Sequence, residues 1–307
     1  MKRAWRTVDA VLLLDKPSGM SSNSALQVAR RRFQAAKAGH GGTLDPLASG
    51  LLPVLFGEAT KFSGSLLEGG KRYEAVVRLG IRTDTADADG AVIAERPVEV
   101  TDGALERALD GFRGDIEQVP PMHSALKRDG QPLYRLARKG IEVERAPRRV
   151  RIERLDLLAR DGRDLRLDIA CSKGTYVRSI ADDLGERLGC GAHLAALRRT
   201  GAGPFAVRDA WTLERLEALP DESLSQALLP PDRLVADLPA VELAGGPAER
   251  FLHGQAVEPG ADRAPGHRRV YAAPGPRFLG VGECTPEGRL RPLRLVASNA
   301  QAAEKAR

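Results

Sequence analysis

The stretch KRYEAVVRL, Lys71 to Leu79, has the period-two pattern of a strand that is buried on one face. One face of this strand carries charged side chains, and the opposite face is formed by Tyr73, Ala75, Val77 and Leu79. We therefore expect Tyr73 to point into the protein or to line a cleft.

Two further stretches, 148–158 (RRVRIERLDLL) and 165–171 (LRLDIAC), also alternate and predict strands. After SKGTY, a helical period runs from Val177 to Leu188 and is stopped by Gly189, so that Arg178 falls in the first turn of the helix. The mixture of strands and helices indicates an α+β domain with a mixed, largely antiparallel sheet.

The N-terminal part predicts a strand, a turn and a helix. Residues 10–14 form a short apolar run typical of a buried strand, and Pro17 with Gly19 favours a turn. Ser21 or Ser22 then caps a helix that reaches about Phe33. The helix ends in the basic run 30–32, which with Lys37 places positive charge beside the loop at 39–50.

The chain has 307 residues, more than one compact core usually spans, so we expect a large domain followed by a small one. The clearest change in composition is a segment rich in Pro and Gly around Asp237. This segment predicts a domain boundary there, with domains at 1–236 and 237–307. Short strand candidates after 237 indicate a compact β barrel, and the tail at 298–307 reads as disordered.

The net charge is +6, with 47 Lys and Arg against 41 Asp and Glu. This balance admits a polyanionic partner, although a well-solvated basic surface explains it equally well. The segment at about 121–149 reads as a mobile basic excursion between strands. Its basic residues are Lys127, Arg128, Arg135, Arg138, Lys139, Arg148 and Arg149.

Several classes of site lack their sequence patterns. The cysteines at 171, 190 and 284 are widely spaced, which favours a reducing compartment and argues against a disulfide framework or a zinc site. The first apolar run is too short to be a signal or a membrane segment, so we expect a cytoplasmic protein. The histidines have no paired spacing, and no phosphate-binding glycine loop occurs, so no metal or nucleotide cofactor is expected. TDTADADG, Thr83 to Gly90, departs from a calcium loop and reads as an acidic turn.

Asp45 is a lone carboxylate in GHGGTLDPLASG, residues 39–50. An Asp before Pro is commonly a turn residue whose side chain accepts a backbone hydrogen bond. The preceding glycines, however, allow a ligand to approach the backbone closely, and Pro46 fixes the chain just after the carboxylate. These features suit an outward-facing nucleophile, and both interpretations stay open on the local sequence.

Longer motifs resemble the bacterial tRNA pseudouridine-55 synthase family. The resemblance is collinear from about Val11 to Val296, and it rests on LLLDKPSGMSS, GHGGTLDPLASGLLPV, GEATKF, KRYEA, RLGIRTDTADADG and CSKGTYVRSIADDLGERLGCGAHLAALRR. It implies a pseudouridine synthase fold with a catalytic cleft and a small PUA-like RNA-binding domain at the C-terminus.

The resemblance implies an RNA isomerase that turns one uridine of the tRNA T loop into pseudouridine without a cofactor. Asp45 matches the family's nucleophile, which attacks either the sugar or the ring. Arg178 matches the arginine that pairs with this carboxylate, lowers its pKa and fixes its direction. Tyr73 matches the tyrosine that stacks on the target base and lies near the carbon that loses its proton. Without the motif, Tyr73 is an ordinary strand aromatic and Arg178 a surface helix residue.

Three more residues correspond to positions around the flipped base. Tyr176 and Leu197 match residues that contact the base or wall it in, and His40 matches the histidine near the extruded nucleotide. Taken singly, Leu197 is as well explained by core packing and His40 by a structural role. The basic excursion corresponds to the family's RNA-gripping insertion. The implied partner is the T stem-loop of tRNA, with no obligate protein partner and a monomer as the default state.

One departure from the family stands beside Asp45. Many relatives have Thr where this chain has Gly41, so any hydrogen bond from that threonine is absent here. Two alternatives to the isomerase also stay open. The chain could act chiefly as a tRNA-folding chaperone, for which binding and flipping of the T loop matter more than modification, or it could modify a different RNA.

Overall fold

The computed structural model describes residues 5–124, 126–128, 130–137, 139–260, 264–275 and 277–296. Within these ranges the chain forms a large mixed sheet, a separate C-terminal sheet and two short hairpins. In chain order the strands are β1 (Ala10–Lys16), β2 (Ala38–His40), β3 (Ser49–Phe56), β4 (Lys71–Leu79), β5 (Ile81–Thr83), β6 (Val92–Glu95), β7 (Gly114–Gln118), β8 (Lys127–Arg128), β9 (Gln131–Pro132), β10 (Arg148–Asp161), β11 (Asp164–Cys171), β12 (Ala192–Ala202), β13 (Phe205–Ala206), β14 (Trp211–Thr212), β15 (Leu228–Leu229), β16 (Ala240–Ala244), β17 (Gly266–Ala273), β18 (Arg277–Cys284) and β19 (Leu290–Leu295).

The α-helices lie against these strands and at their ends. They are α1 (Ser22–Arg32), α2 (Ser63–Glu68), α3 (Asp102–Asp110), α4 (Leu133–Ala137), α5 (Val177–Arg187), α6 (Leu213–Ala218) and α7 (Gly245–Leu252). Among the described residues, no helix is long and apolar enough to cross a membrane.

The large sheet has the strand order β14-β1-β3-β12-β4-β11-β10-β7, with β2, β13 and β15 paired beside this path. Most neighbours are antiparallel, and the parallel pairs are β1 with β14 and β3 with β12. The predicted mixed, largely antiparallel sheet in an α+β domain is therefore confirmed. The parallel junction of β3 and β12 lies in the middle of the sheet, next to β4.

Strands β1 and β3 are buried on both faces, which explains their nearly continuous apolar sequence. In β1, Leu12 and Leu14 face one core, whereas Val11 and Leu13 face another. The first core is covered by α1, α3, α5 and α6. The second core is covered by α2 and by the C-terminal unit, which consists of β16 to β19 and α7.

The local predictions around the strands at 10–16 and 71–79 are confirmed. The side chain of Ser21 accepts a hydrogen bond from the Ser24 amide and caps α1. In β4, the face that begins at Tyr73 is buried, as the alternation predicts. Helix α5 ends before Gly189, whose φ of +79° allows the left-handed turn that stops a helix.

The segment at 121–149 forms the small β8–β9 hairpin and α4 before it joins β10. Of its basic residues, Arg138 lies outside the described residues. TDTADADG forms the turn between β5 and β6, as predicted.

The predicted C-terminal β barrel is not confirmed, because the described residues form no closed barrel. Strands β16, β17, β18 and β19 form an open sheet in that order, and α7 packs on it around a core of its own. Closing a sheet into a barrel needs more strands than the four of this short unit, and it needs a staggered register between them. The tail that we predict to be disordered lies outside the described residues.

Aromatic side chains connect the C-terminal unit to the large sheet's second core. The rings of Phe62 and Phe278 lie 5.4 Å apart between centroids. The Tyr271 hydroxyl donates a 2.7 Å hydrogen bond to Asp232 Oδ2, and burial raises the pKa of this tyrosine to about 12. These contacts fix the C-terminal unit against the sheet.

Candidate active site

Asp45 lies in the loop between β2 and β3, and hydrogen bonds hold this loop at two residues that precede Asp45. The Gly41 amide donates a 2.9 Å hydrogen bond to the Pro53 carbonyl. At the start of α1, the buried Ser22 hydroxyl accepts from the Leu44 amide at 2.7 Å and donates to the Leu44 carbonyl at 2.8 Å. The carboxylate is thus presented by a loop that is held at the residue before it.

The glycine that departs from the family pattern meets a close neighbour. A Cβ atom at Gly41 would lie 2.5 Å from Leu66 Cδ1 and 3.2 Å from Leu66 Cβ. Leu66 is fully buried on α2 and belongs to the second core. Leu66 therefore fills the space that a larger residue at position 41 would need.

The Asp45 carboxylate pairs with Arg178 from the first turn of α5. Arg178 Nη2 lies 2.9 Å from Asp45 Oδ2, and the Arg178 side chain is only 5% exposed, whereas that of Asp45 is 40% exposed. Arg178 also donates to the carbonyls of Thr85 and His123 at 3.3 and 2.7 Å. A buried arginine that is itself hydrogen-bonded to two backbone carbonyls therefore holds a partly exposed carboxylate.

A second carboxylate, Asp87, also contacts this arginine. Asp87 Oδ2 lies 3.6 Å from Arg178 Nε, and the Asp87 side chain is buried. Its other oxygen accepts from the Thr85 hydroxyl at 2.6 Å and from the Asp89 amide at 3.1 Å. The acidic turn between β5 and β6 thus supports Arg178 from behind. The sequence contained this turn, but its local pattern gave no sign of that partnership.

The pKa of Asp45 departs from the prediction. We predict that the arginine pair lowers it, but burial raises the pKa of Asp45 above its ordinary value because desolvation outweighs the attraction of Arg178. Nearby Asp87 and Asp89 raise it further, and Arg178 opposes the change through its charge and its hydrogen bond. Arg178 therefore favours the ionised carboxylate in a site that would otherwise favour the neutral acid.

Four of the predicted site residues surround the same cleft as Asp45. The cleft has a volume of ≈ 380 Å³, and its walls include Tyr73 from β4, Tyr176 and Arg178 at the start of α5, and Leu197 from β12. Tyr73 is 9% exposed, and burial raises its pKa. A cleft of this size with aromatic and apolar walls fits a planar base.

The Gln118 side chain fixes Tyr176 at the entrance of α5. Gln118 Nε2 donates to the Tyr176 carbonyl at 3.0 Å, and the Tyr176 amide donates to Gln118 Oε1 at 2.8 Å. Gln118 is itself buried at the end of β7. Burial also raises the pKa of Tyr176. The tyrosine backbone and the start of the arginine's helix are thus held together.

The last predicted residue, His40, lies at the end of β2 and is not part of the cleft wall. Its Nδ1 atom is buried and has no hydrogen-bond partner among the described residues. Burial lowers the pKa of His40, and the charge of Arg199 adds to this effect. The histidine therefore favours its neutral form.

Two buried cations beside the cleft were missed by the sequence reasoning. Lys16, at the end of β1, has no exposed surface, and its Nζ donates to the carbonyls of Pro17 and Met20 at 2.9 and 2.6 Å. Burial lowers the pKa of Lys16 to about 8, against the attraction of Asp45. Arg199, on β12, is 1% exposed. The available signal was a charged residue at an inward-facing strand position: Lys16 follows Leu12 and Leu14 on one face of β1.

The arginines at the basic end of α1 differ in their contacts: two of them bond other parts of the fold, and one is exposed. Arg30 donates to the carbonyls of Ala35 and Ala36 at 3.0 and 2.8 Å, and its guanidinium stacks 4.5 Å from the Trp5 ring centre. Arg32 donates to the Leu216 carbonyl at 3.0 Å and pairs with Asp221. Arg31 and Lys37 are exposed. Two residues of the basic run 30–32 thus stabilise the fold, whereas Arg31 and Lys37 remain exposed.

Within the described residues, no group of three or more His, Cys, Asp or Glu side chains could hold a metal ion. The cysteines at 171, 190 and 284 are buried and free.

Comparison with known proteins gives consistent matches along the chain. Family models match residues 30–177 as TruB family pseudouridylate synthase (N terminal domain), 178–236 as tRNA pseudouridylate synthase B C-terminal domain, and 239–296 as pseudouridine synthase II TruB, C-terminal. The chain is 58% identical over 297 residues to tRNA pseudouridine synthase B of Aromatoleum aromaticum, covering 97% of this chain and 96% of the relative. It is 55% identical over 304 residues to that of Pseudomonas aeruginosa, covering 97% and 99%.

A solved structure supports the same relationship. A chain in the crystal structure of a Cbf5–Nop10–Gar1 complex superposes with a TM-score of 0.69 at 26% identity, over 94% of this chain and 84% of that one. With more than half of its residues identical to curated relatives over nearly its whole length, the chain belongs to the TruB family of pseudouridylate synthases.

Proposed function

We propose that this chain converts uridine-55 in the T loop of tRNA into pseudouridine, with Asp45 as the nucleophile. The observation that carries the proposal is the Arg178–Asp45 pair at 2.9 Å, set in the wall of a cleft that also holds two tyrosines. The pair aims one carboxylate, whose ionised form Arg178 favours, at the space where a base fits. The family relationship supplies the substrate class.

The reaction is an isomerisation. The bond between uracil N1 and the ribose is broken, the base rotates, and a new bond forms between uracil C5 and the same ribose carbon. The C5 hydrogen is then lost as a proton, and N1 gains one. An Asp45 oxygen attacks either the sugar or the ring to begin this sequence, and it departs when the new carbon bond is complete. Neither a redox step nor a net hydrolysis is involved.

Tyr73, Tyr176 and Leu197 hold the base during its rotation. A detached base has to be kept close to the sugar, and aromatic and apolar walls do this while they exclude water. The Asp45 carboxylate raises the pKa of the Tyr73 phenol, so the two groups are close enough to interact electrostatically. This proximity supports Tyr73 as the group that takes the proton from C5.

The target uridine is inside a folded loop and has to be flipped out before it enters the cleft. We assign the grip on the RNA to the basic insertion at about 121–149, together with the exposed Arg31 and Lys37 at the end of α1. We assign to His40, at the end of β2, the role of filling the space that the flipped nucleotide leaves.

We divide the chain into a catalytic domain at 1–236 and an RNA-binding domain at 237–307. The separate core of the C-terminal sheet supports this division. The small domain contributes affinity for the RNA and no chemistry. Action in the cytoplasm as a monomer, without an obligate protein partner, is part of the same proposal.

The test is tritium release from a T-arm RNA labelled at C5 of uridine-55 alone. The wild-type chain should release the label, because the new carbon bond displaces that hydrogen. A matched RNA labelled only at a different loop uridine should release none. Tight binding of the RNA without release would overturn the isomerase proposal and favour a chaperone, and release from the second RNA would overturn the choice of uridine-55.

A further inference from the structure

Arg199 is a buried cation that faces no carboxylate. Its side chain is 1% exposed, and no acidic group within the described part of the chain lies within ion-pair distance. Instead it donates three hydrogen bonds to backbone carbonyls: Nε to Leu51 at 2.7 Å, Nη2 to Gly42 at 3.0 Å and Nη1 to Thr43 at 3.3 Å. Burying a charge without a counter-ion is costly, and accordingly burial lowers the pKa of Arg199.

The β3 and β12 backbones approach each other closely at this residue. Arg199 pairs with Gly50 across the parallel junction of β12 and β3. Gly50 has φ of +100°, and a Cβ there would lie 2.3 Å from the Arg199 carbonyl oxygen. Only glycine fits this close approach. The Arg199 side chain thus connects the first part of the Asp45 loop, at Gly42 and Thr43, to the start of β3 at Leu51.

On its other side, Arg199 stands directly opposite Tyr73. The two residues are partners in the antiparallel pairing of β12 and β4, so their side chains emerge on the same face of the sheet. Both side chains line the cleft, and the positive charge of the Arg199 guanidinium acts against the effect of burial on the pKa of the Tyr73 phenol.

We propose that Arg199 is a positioning residue that holds the Tyr73 phenol and the Gly42–Thr43 backbone in one frame and stabilises the phenolate form of Tyr73 during catalysis. The inference rests on the proposed function. In the last chemical step, the C5–H bond breaks and its electrons form the C5–C6 double bond. The proton passes to the phenolate oxygen, and N1 takes up another proton. Arg199 itself touches none of the reacting atoms.

Other groups that influence the pKa of Tyr73 raise it. Burial raises the pKa of Tyr73, and among the influences that oppose burial Arg199 is the largest; Cys171 on β11 and Asp45 raise the pKa further. Lys71 on the same strand and Arg178 from α5 also line the cleft. The cation at position 199 is therefore the group whose loss should most disfavour the phenolate.

The direct test follows the ionisation of Tyr73 without RNA. The four tyrosines are replaced by 3,5-difluorotyrosine, whose phenol ionises at a lower pH where the protein stays folded, and are followed by fluorine NMR. Tyr73→Phe assigns the signal. In Arg199→Gln its titration midpoint should rise by about one unit or more, and in Arg199→Lys by less. Arg78→Gln is the matched control, because Arg78 is an exposed arginine on β4, the strand of Tyr73, and bonds the half-buried Asp164 at 2.7 Å.

Kinetics supply the second readout. Arg199→Gln should lower the single-turnover rate by roughly 100-fold while RNA affinity changes by less than about threefold, since the arginine positions groups and does not contact the RNA. When Arg199→Gln is added to Tyr73→Phe, the single-turnover rate should fall by only a few-fold more. The proposal would be overturned if the titration midpoint of Tyr73 did not move in Arg199→Gln. It would also be overturned if the rate of the double variant fell by the product of the two single-variant losses.

The outcome stays decisive if Arg199→Gln does not fold, because Arg199→Lys retains the charge and is judged by the same midpoint and rate. The NMR readout needs no substrate, so a failure of the proposed tRNA reaction and a failure of the arginine's role give different results. A shifted midpoint without any tritium release would support the arginine–tyrosine coupling and contradict the reaction.

Discussion

Replacing Gly41 by threonine, the residue of many relatives, should disturb this chain rather than improve it. A Cβ at position 41 would meet Leu66 Cδ1 at 2.5 Å and Leu66 Cβ at 3.2 Å, and Leu66 is fully buried. The threonine also adds two more heavy atoms beyond Cβ. Overpacking of this kind costs about 1–3 kcal/mol, which corresponds to a fall in Tm of roughly 2–12 °C for a chain of this size.

The partner substitution is Leu66→Ala, which opens a cavity and should cost about 2–5 kcal/mol alone. In the double variant Gly41→Thr/Leu66→Ala, the threonine occupies part of that cavity. The combined loss should therefore be smaller than the sum of the single losses by about 0.5–3 kcal/mol. Activity should follow the same order, because the strained residue lies four positions before Asp45 in the same loop.

The assays are thermal unfolding and single-turnover tritium release for the wild type, both single variants and the double variant. Gly64→Thr is the matched control, because a Cβ at Gly64 on the same helix as Leu66 meets nothing within 4 Å. Additive losses in the double variant would refute the reasoning. So would a Gly41→Thr protein as stable and active as the wild type.

The remaining predictions concern charge. Arg178→Met removes the largest influence that lowers the pKa of Asp45, so the acid limb of the pH–rate profile should move to higher pH by about 1–3 units. Asp87→Asn removes a charge that raises the pKa of Asp45, so the same limb should move to lower pH. A pH–rate series in which both variants shift the limb in the same direction would contradict this. Lys16 has its pKa lowered from 10.5 to about 8, so the folded state binds fewer protons than the unfolded state between these values. Denaturant unfolding across this window should show the wild type gaining up to about 3 kcal/mol relative to Lys16→Met as pH rises, and a constant difference would be the contrary result. Arg149→Ala should reduce the slope of log affinity against log salt by about one, and an unchanged slope would mean that this insertion residue does not contact phosphate.

The elements that the sequence predicted correctly are those whose pattern is local. Strand β4 alternates, β1 is a short apolar run, and α1 and α5 have a serine cap and a stopping glycine respectively. Each of these signals comes from neighbours along the chain, where steric and hydrogen-bonding preferences act directly.

The features that were missed depend on contacts between distant segments. The open C-terminal sheet was predicted as a barrel, because strand candidates alone do not reveal whether a sheet closes. The roles of Asp87 behind Arg178, and of Arg199 opposite Tyr73, exist only once β4, β12 and α5 are assembled. The direction of the Asp45 pKa was wrong for the same reason, since the depth of its burial could not be read from the loop's sequence.

The central claim is that Asp45 is the nucleophile. It is tested most directly by single-turnover tritium release from the labelled T-arm RNA with Asp45→Asn, measured together with RNA affinity. The substitution keeps the size of the side chain and removes the charge, so turnover should be abolished while affinity stays within about tenfold of the wild type, because few phosphate contacts change. Appreciable release by Asp45→Asn would show that another group begins the reaction.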